Sequence, residues 1–441
     1  MGVHSVEKKQ LSARGMLAKI RSAFSKIPEP SKDNRGLKSK IPIVDCLMSG
    51  LAMFQLKFPS LLQFDQEVND EVVKHNLQTL YNVEKAPCDT YMRERLDKVE
   101  PKLLRSAFTD VFSLIQRGKV IEDYKFLNGY VLAACDGTWL FSSEKVHCSN
   151  CCEKHHKDGR VTYYHQMLAG VLIHPDQREV FPFCPEPISK PDGATKNDCE
   201  QNATRRFLED FRREHPRLKI IFTMDALSAK APYIRPIIDM GAHFIIGVNP
   251  TGNPSLFEWL KGIKLETKTI KTKKEVIELK FYNKVPLNDA NHELEVNFID
   301  CLVKNLKGKL IGHFSWITDI LITQDNVYQL SRGGRARWKV ENETFNTLKN
   351  QGYNFEHNYG HGYQHLSHVF GILMFLAFLL DQVQQRCCGL FQEAVIKAKS
   401  KVRFWRRQQS IFAELYIPSW EDLFLWMVDR SKGKVTIENS C

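Results

Sequence analysis

Two largely apolar segments that each lead into an aspartate constrain the fold of this chain most strongly. Residues 130–135 precede Asp136 and the small pair Gly137-Thr138, and residues 218–224 precede Asp225. Short apolar runs of this kind predict buried strands, and the helix-prone residues after Asp225 predict a following helix. We therefore expect an α/β fold in which Asp136 and Asp225 both lie at strand ends, with a tight turn directly after Asp136.

Glu341 is a third acid in a suggestive setting, because it lies in a segment with helical spacing. Trp338, Phe345 and Leu348 are expected to share a helix face with Glu341, and Trp338 is interpreted as a core residue rather than as a wedge that stacks on bases. Two strand-borne aspartates and a helix-borne glutamate can converge on one site. Carboxylates suit Mg²⁺ or Mn²⁺, and two such ions about 3.5 to 4 Å apart assist displacement at phosphorus by activating the attacking oxygen and stabilising the leaving one.

Taken one at a time, these acids are more typical of turns, caps and solvated helix faces. Four segments, taken together and in this order along the chain, change that interpretation: residues 135–138, 192–203, 335–343 and 348–362. Together they resemble bacterial insertion-sequence transposases of the DDE class, over about residues 76–382. The resemblance implies a ribonuclease H-like catalytic core. It also implies that Asp136, Asp225 and Glu341 are the catalytic triad and hold two Mg²⁺ or Mn²⁺ ions.

The sequence departs in two places from a signature that many of these transposases carry around the glutamate. Arg337 matches the signature arginine, four residues before Glu341. Gly334 stands where the signature has tyrosine, and Lys349 lies one residue beyond the place of the signature lysine. Glu343 is the competing glutamate, but the position of Arg337 one helical turn earlier favours Glu341.

The basic composition is compatible with DNA as the partner. The chain has 62 Lys and Arg residues against 51 Asp and Glu residues, a net charge of +11. Five basic residues near Glu341 are the strongest candidates for DNA contacts: Arg332, Arg335, Arg337, Lys339 and Lys349. The basic residues of the first 40 positions indicate either a DNA-contacting arm or a solvated one.

Changes in hydrophobic period divide the chain into six predicted segments. These are a basic, partly flexible arm (1–40), a helical DNA-end-binding domain (41–122), the first part of the catalytic core (123–250), an inserted β subdomain (251–323), the second part of the core with the Glu helix (324–385), and a C-terminal helical extension (386–441). The predicted fold is thus a ribonuclease H-like mixed sheet with flanking helices, an all-helical N-terminal domain and an inserted β subdomain. Residues 366–380 predict a buried helix on the sheet, too short for a confident membrane span.

A cluster of cysteine and histidine residues follows the first predicted strand. Cys148 and Cys151 have the two-residue spacing of a zinc ligand pair, and His155 or His165 would complete a structural Zn²⁺ site. A reduced, cysteine-rich loop is the other interpretation. Glu200, at the predicted start of a helix, is interpreted as an acid near the positive end of the helix dipole rather than as a metal ligand.

The expected function is DNA transposition, in which the enzyme cleaves at the element ends and transfers the strand into target DNA. Three alternatives remain: a domesticated, non-catalytic DNA-binding protein, a zinc-organised RNA or DNA scaffold, and a metal-dependent nuclease without strand transfer. Twelve cysteines without an export signal predict a reducing cytoplasm, here that of a bacterium with the protein associated with the nucleoid. No membrane partner is expected, and the pairing of two element ends predicts a homodimer in the synaptic complex.

Overall fold

The computed structural model describes residues 10–30, 40–190 and 198–437, which form one mixed sheet with helices around it. The strands are β1 (Val131–Ser143), β2 (Cys152–His155), β3 (Val161–Ile173), β4 (Phe181–Pro182), β5 (Glu186–Ile188), β6 (Ile220–Met224), β7 (His243–Gly247), β8 (Glu266–Lys271), β9 (Glu275–Pro286), β10 (Glu295–Asn305) and β11 (Leu310–Thr318).

The described helices flank this sheet in three groups along the chain. Before β1 they are α1 (Ala13–Phe24), α2 (Ile43–Gln55), α3 (Leu61–Glu67), α4 (Glu71–Tyr81), α5 (Asp89–Leu96) and α6 (Arg105–Arg117). Between the strands they are α7 (Glu200–Glu214), α8 (Ala231–Asp239) and α9 (Pro254–Lys261). After β11 they are α10 (Val327–Ala336), α11 (Asn346–Asn350), α12 (Leu366–Cys387), α13 (Gly389–Ala398), α14 (Lys401–Glu414) and α15 (Trp420–Val428).

The strand order confirms the predicted α/β class. It runs β2-β3-β1-β6-β7-β11-β10-β9-β8, and β4 and β5 also pair with β3. β1 pairs with β3 in antiparallel fashion and with β6 in parallel, and β6 and β7 are parallel as well. An antiparallel pair continued by parallel strands that are linked through helices is the predicted ribonuclease H-like arrangement.

Burial explains why the central strands are the most apolar segments. All five residues of β6 are buried, as are the first five of β1, because neighbours cover both faces of a central parallel strand. Helix α7 lies close against β3. A Cβ atom on Gly170 of β3 would lie 2.2 Å from the Phe207 ring of α7, so the helix can pack this closely only against a glycine in the strand.

The strand-rich segment between Asp225 and Glu341 extends the same sheet. β11 pairs in antiparallel fashion with β7, for example Ile317 with Ile246, and β10, β9 and β8 continue outward from it. The strands therefore fall where the sequence predicts them, but they hydrogen-bond directly to the core sheet. Strands β6 and β7 lie between β1 and this extension.

Helix α12 is the buried helix that the sequence predicts from residue 366. It is long and apolar enough to cross a membrane, yet 94 % of its most apolar window is buried inside the protein. It packs mainly on α2 and also contacts β1 and β3. Its apolar surface is therefore covered by protein.

Part of the predicted N-terminal arm is a packed helix. Met16, Ile20 and Phe24 of α1 are buried, and Arg21 forms an ion pair of 2.9 Å with Asp45. The apolar residues recur at helical spacing, which predicts an amphipathic helix. The many lysines and arginines among them instead favour the prediction of a flexible arm. The remainder of the predicted arm, residues 1–9 and 31–39, lies outside the described residues.

Candidate active site

Asp136 and Asp225 lie side by side because β1 and β6 run in parallel. The last paired residues are Ala134 and Thr223, and two residues further along each chain lie Asp136 and Asp225. Residues two apart in a strand project from the same face, so both aspartates continue that alignment. Asp225 follows the end of β6 as predicted, and its Oδ1 accepts a hydrogen bond of 3.1 Å from the Leu227 amide.

The prediction that Asp136 ends its strand is wrong. β1 continues through Gly137 and Thr138, which pair with Leu168 and Met167 of β3. The glycine predicts a turn, but here it serves close packing. A Cβ atom on Gly137 would lie 2.2 Å from the Oε1 atom of Glu200, so the strand can pass this carboxylate only without a side chain. Asp136 thus lies within a strand, at the point where its parallel pairing ends.

Glu341 reaches the two aspartates from a helical segment of unusual geometry. Residues Val340–Phe345, which are separated from the end of α10 by three residues, form a π-helix, a distortion that is often found at functional sites. The Arg337 guanidinium joins the acids, with one nitrogen 3.1 Å from an Asp136 oxygen and the other 2.7 Å from a Glu341 oxygen. Asp136 and Glu341 are therefore bridged by a single guanidinium group.

The electrostatics agree with three carboxylates that are near neighbours. Burial and, to a smaller extent, the negative charges of Asp225 and Glu341 together raise the pKa of Asp136 from 3.8 to about 6. Arg337 and the Gly137 amide oppose this shift, but they do not cancel it. The site therefore holds an excess of negative charge that an added cation would neutralise.

Glu200 is a fourth acid at this site, although nothing in its local sequence marks it as one. It lies in the first turn of α7, as predicted, and its Oε1 accepts a hydrogen bond of 2.7 Å from Gln166 on β3. Burial raises the pKa of Glu200, and the charge of Asp225 adds to the shift. The signal in the sequence was Gly137, whose missing side chain makes room for this carboxylate.

Trp338 is not in the core, contrary to the prediction. Its side chain is 50 % exposed, whereas Phe345 and Leu348 are buried. The π-helix changes the angular spacing after Val340, so residues before and after it do not share one face. Trp338 lines a cleft of about 270 Å³ together with Asp225 and Arg337.

The five basic residues predicted to contact DNA all have partners inside the protein. Arg337 pairs with the acids of the site. The other four bind acceptors outside it: Arg332 binds Asp176, Arg335 binds Glu275 at 2.9 Å, Lys339 donates to the Gln177 carbonyl at 2.7 Å, and Lys349 binds Glu356 at 2.7 Å. Arg332, Arg335, Arg337 and Lys339 lie on α10 or in the three residues that follow it, shortly before Glu341 in the chain.

The Cys/His cluster has a different composition from the predicted one. Cys148, Cys151, His165 and His361 place one side-chain atom each within 4.8 Å of all the others. His155, one of the predicted members, is exposed instead and lies beside Glu153 at 3.3 Å. Its position at the outer end of β2 directs it away from the cluster. His361 comes from the segment after α11, far away in the sequence.

Comparison with known proteins identifies the family. A model described as the transposase DDE domain matches residues 157–380, a range that includes Asp225 and Glu341. No curated protein matches the chain. A solved structure of a piggyBac transposase synaptic complex with hairpin DNA aligns with 9 % identity and a TM-score of 0.39, covering 93 % of this chain and 80 % of that one. Because the family model matches slightly more than half of the chain, this protein belongs to the transposase DDE domain family.

Proposed function

We propose that this protein is a DNA transposase that cleaves at transposon ends and joins the freed strand to target DNA, with Asp136, Asp225 and Glu341 as its catalytic metal ligands. The observation that carries the proposal is that the Arg337 guanidinium bridges Asp136 and Glu341, while Asp225 lies beside Asp136 at the end of the neighbouring parallel strand and raises its pKa. They come from β1, from the end of β6 and from the helical segment after α10. Membership of the transposase DDE domain family supports the assignment.

The residues of the site fit Mg²⁺ or Mn²⁺. All three predicted ligands are carboxylates, the donors that such hard cations prefer. The raised pKa of Asp136 reflects burial beside two like charges, a situation that a divalent cation relieves. When bound, a pair of such ions would supply Lewis-acid stabilisation of charge at the phosphate.

The protein's own residues have distinct roles in this proposal. Asp136, Asp225 and Glu341 hold the cations, and Arg337 neutralises charge on the phosphate, because its guanidinium already lies between two of the acids. Glu200, held by Gln166, keeps negative charge next to Asp225 and so favours cation binding. No covalent bond between protein and DNA is required.

The proposed DNA surface is formed by the helical segments before and after Glu341 and contains Arg332, Arg335, Arg337, Lys339 and Lys349. These side chains are now paired with protein acceptors, which phosphate groups would replace on binding. The net charge of +11 favours such an exchange. We also propose that the active form is a homodimer that pairs two ends of a bacterial insertion sequence, and that it acts at the nucleoid in the cytoplasm.

The experiment uses a plasmid that carries the gene together with its own flanking DNA on both sides. Purified protein is incubated with this plasmid and Mg²⁺, and both broken ends and joined products are sequenced. We expect Asp136→Asn to abolish both products while DNA binding is retained. Asp239→Asn, an exposed aspartate at the end of α8, is the matched control and should leave both products intact.

The outcomes separate the proposal from its alternatives. Broken ends without joined products would indicate a nuclease. DNA binding without cleavage under any divalent cation would indicate a non-catalytic, domesticated protein. Cleavage that survives Asp136→Asn would remove the assignment of the site.

A further inference from the structure

The Cys/His cluster lies apart from the acidic site and joins three separate stretches of chain. Cys148 and Cys151 come from the loop between β1 and β2, His165 comes from β3, and His361 comes from the segment that follows α11. His165 is 1 % exposed and Cys151 is also 1 % exposed. Four potential ligands from three stretches of chain therefore meet at a site where Cys151 and His165 are buried and Cys148 and His361 are half-buried.

The distances between the ligand atoms match the edges of a zinc tetrahedron. Zinc bonds of about 2.3 Å to sulfur and 2.0 to 2.1 Å to nitrogen, at tetrahedral angles, place two sulfurs about 3.8 Å apart and a sulfur and a nitrogen about 3.6 Å apart. The two sulfurs here are 3.8 Å apart. The Nε2 atom of His165 lies 3.6 Å from the Cys148 sulfur and 3.5 Å from the Cys151 sulfur, and that of His361 lies 3.3 Å from the Cys151 sulfur.

A disulfide or a set of ordinary hydrogen bonds fits this cluster less well. The two sulfurs are 3.8 Å apart, far beyond the bond length of about 2.05 Å in a disulfide. Among the described residues, the Nδ1 atoms of His165 and His361 have no hydrogen-bond partner, so both rings are aimed at the sulfurs by their Nε2 atoms alone. Two thiols and two imidazoles in this arrangement are the donor set of structural zinc sites.

We propose that Cys148, Cys151, His165 and His361 bind one structural Zn²⁺ ion. The ion ties β3, the direct neighbour of the strand that carries Asp136, to the segment that follows the Glu341 helix. It therefore fixes the two halves of the core to each other. The site is closed, with four protein ligands, and its soft sulfur donors separate it chemically from the carboxylate site. Zinc binding here does not depend on transposition.

The first test measures metal content. Protein is purified from zinc-containing medium, passed through metal-free buffer and analysed by mass spectrometry for metals. We expect about one zinc ion per chain in the unaltered protein. Cys148→Ser and His361→Asn should lose most of it, whereas Cys88→Ser and His155→Asn should keep it, since Cys88 and His155 are exposed and lie outside the cluster. His361→Asn and His155→Asn form a matched pair that distinguishes the observed ligand set from the predicted one.

The second test needs no variant and so is independent of any folding defect. The unaltered protein is stripped of metal and titrated with Co²⁺, and the absorption spectrum is recorded. Thiolate-to-cobalt charge transfer in the near ultraviolet and strong visible bands, at one equivalent, are expected for a tetrahedral site with two sulfurs. The proposal is overturned if the protein binds neither Zn²⁺ nor Co²⁺ at this stoichiometry, or if the Co²⁺ spectrum lacks the thiolate charge-transfer band.

Discussion

Gly334 stands where the signature that many related transposases carry has tyrosine, and another aromatic ring fills the space beside it. A Cβ atom at this position would lie 2.4 Å from the Cε2 atom of Trp316 and 2.5 Å from its Nε1 atom. The indole of Trp316, from β11, therefore occupies the space that the signature tyrosine would need. Arg337 and Glu341 follow in the same helical segment and contact each other at 2.7 Å.

We expect Gly334→Ala to destabilise the fold by about 1 to 3 kcal/mol, because a rigid ring cannot retreat from the added methyl group. Chemical denaturation measures this change. Gly262→Ala is the matched control, since a Cβ atom there meets nothing within 4 Å. Equal stability of the two variants would contradict the close packing of Trp316 on Gly334.

The pKa of Asp136 predicts how stability depends on pH. The folded protein binds this proton more tightly than the unfolded chain, because the pKa is about 6 when folded against an ordinary 3.8. The ionised carboxylate therefore destabilises the fold above pH 6, and the effect fades as the pH falls through that value. In metal-free buffer we expect Asp136→Asn to be more stable than the unaltered protein at about pH 7.5, by at most about 3 kcal/mol.

The measurement for this prediction is a series of denaturation curves between about pH 4 and 8. The advantage of Asp136→Asn should shrink toward the acidic end, and Asp239→Asn should show no such trend. A difference in stability between Asp136→Asn and the unaltered protein that stays constant across the series would mean that the pKa of Asp136 is not raised in the folded protein.

At the scale of elements, the start of α12 is fixed by an aspartate at the end of α5. Asp97 accepts hydrogen bonds of 2.9 to 3.0 Å from the amides of four consecutive residues, 363–366. Orphan amides at a helix N-terminus need such acceptors, and a negative charge suits that end of the helix. Asp97 thus joins the N-terminal helices to the segment that carries His361.

We expect Asp97→Ala to lower the free energy of unfolding by about 2 to 4 kcal/mol, because four buried or partly buried amides lose a charged acceptor. Asp97→Asn, which keeps one acceptor oxygen, should lose less. Thermal or chemical denaturation would record both, and equal values for the two variants would contradict the capping role.

The elements themselves were largely predictable, whereas their limits at the site were not. β6 and Asp225 at its end follow from an apolar run and a helix-prone sequence. β1 is longer than predicted, because Gly137 indicates a turn when read alone and its packing partner Glu200 is distant in the sequence. Likewise, nothing local marks the π-helix that leaves Trp338 exposed.

At the scale of the whole molecule, the N-terminal and C-terminal helices share one core. Lys57 lies 2.7 Å from Asp381 of α12, and both side chains are buried. Burial lowers the pKa of Lys57 and raises that of Asp381, while each charge opposes the shift of the other. The Asn76 side chain also binds backbone groups of α14 and the residues after it.

We expect Asp381→Asn to destabilise the protein by about 3 to 5 kcal/mol, because it leaves the Lys57 ammonium buried without its counter-ion. The double variant with Lys57→Met should recover part of the loss. Denaturation of the single and double variants tests this, with Asp239→Asn as the exposed control. Recovery that fails to appear would mean that the two charges do not act as a pair.

Contacts at this scale were beyond the sequence. Hydrophobic period indicates which face of an element is buried, but not which distant face covers it. The predicted zinc ligands illustrate this limit, since Cys148 and Cys151 were found by their spacing and His361 was brought to them only by the fold. The three acids of the proposed triad could be predicted because several sequence motifs occur together in the order found in the transposases that this chain resembles.

Electron paramagnetic resonance can count bound Mn²⁺ directly and so tests whether Asp136, Asp225 and Glu341 form one metal site. The protein is first loaded with zinc at the Cys/His cluster. We expect the unaltered protein to bind Mn²⁺, and Asp136→Asn, Asp225→Asn and Glu341→Gln each to weaken binding at least about tenfold. Asp239→Asn should bind as the unaltered protein does. Full Mn²⁺ affinity in any one of the three site variants would contradict a shared site.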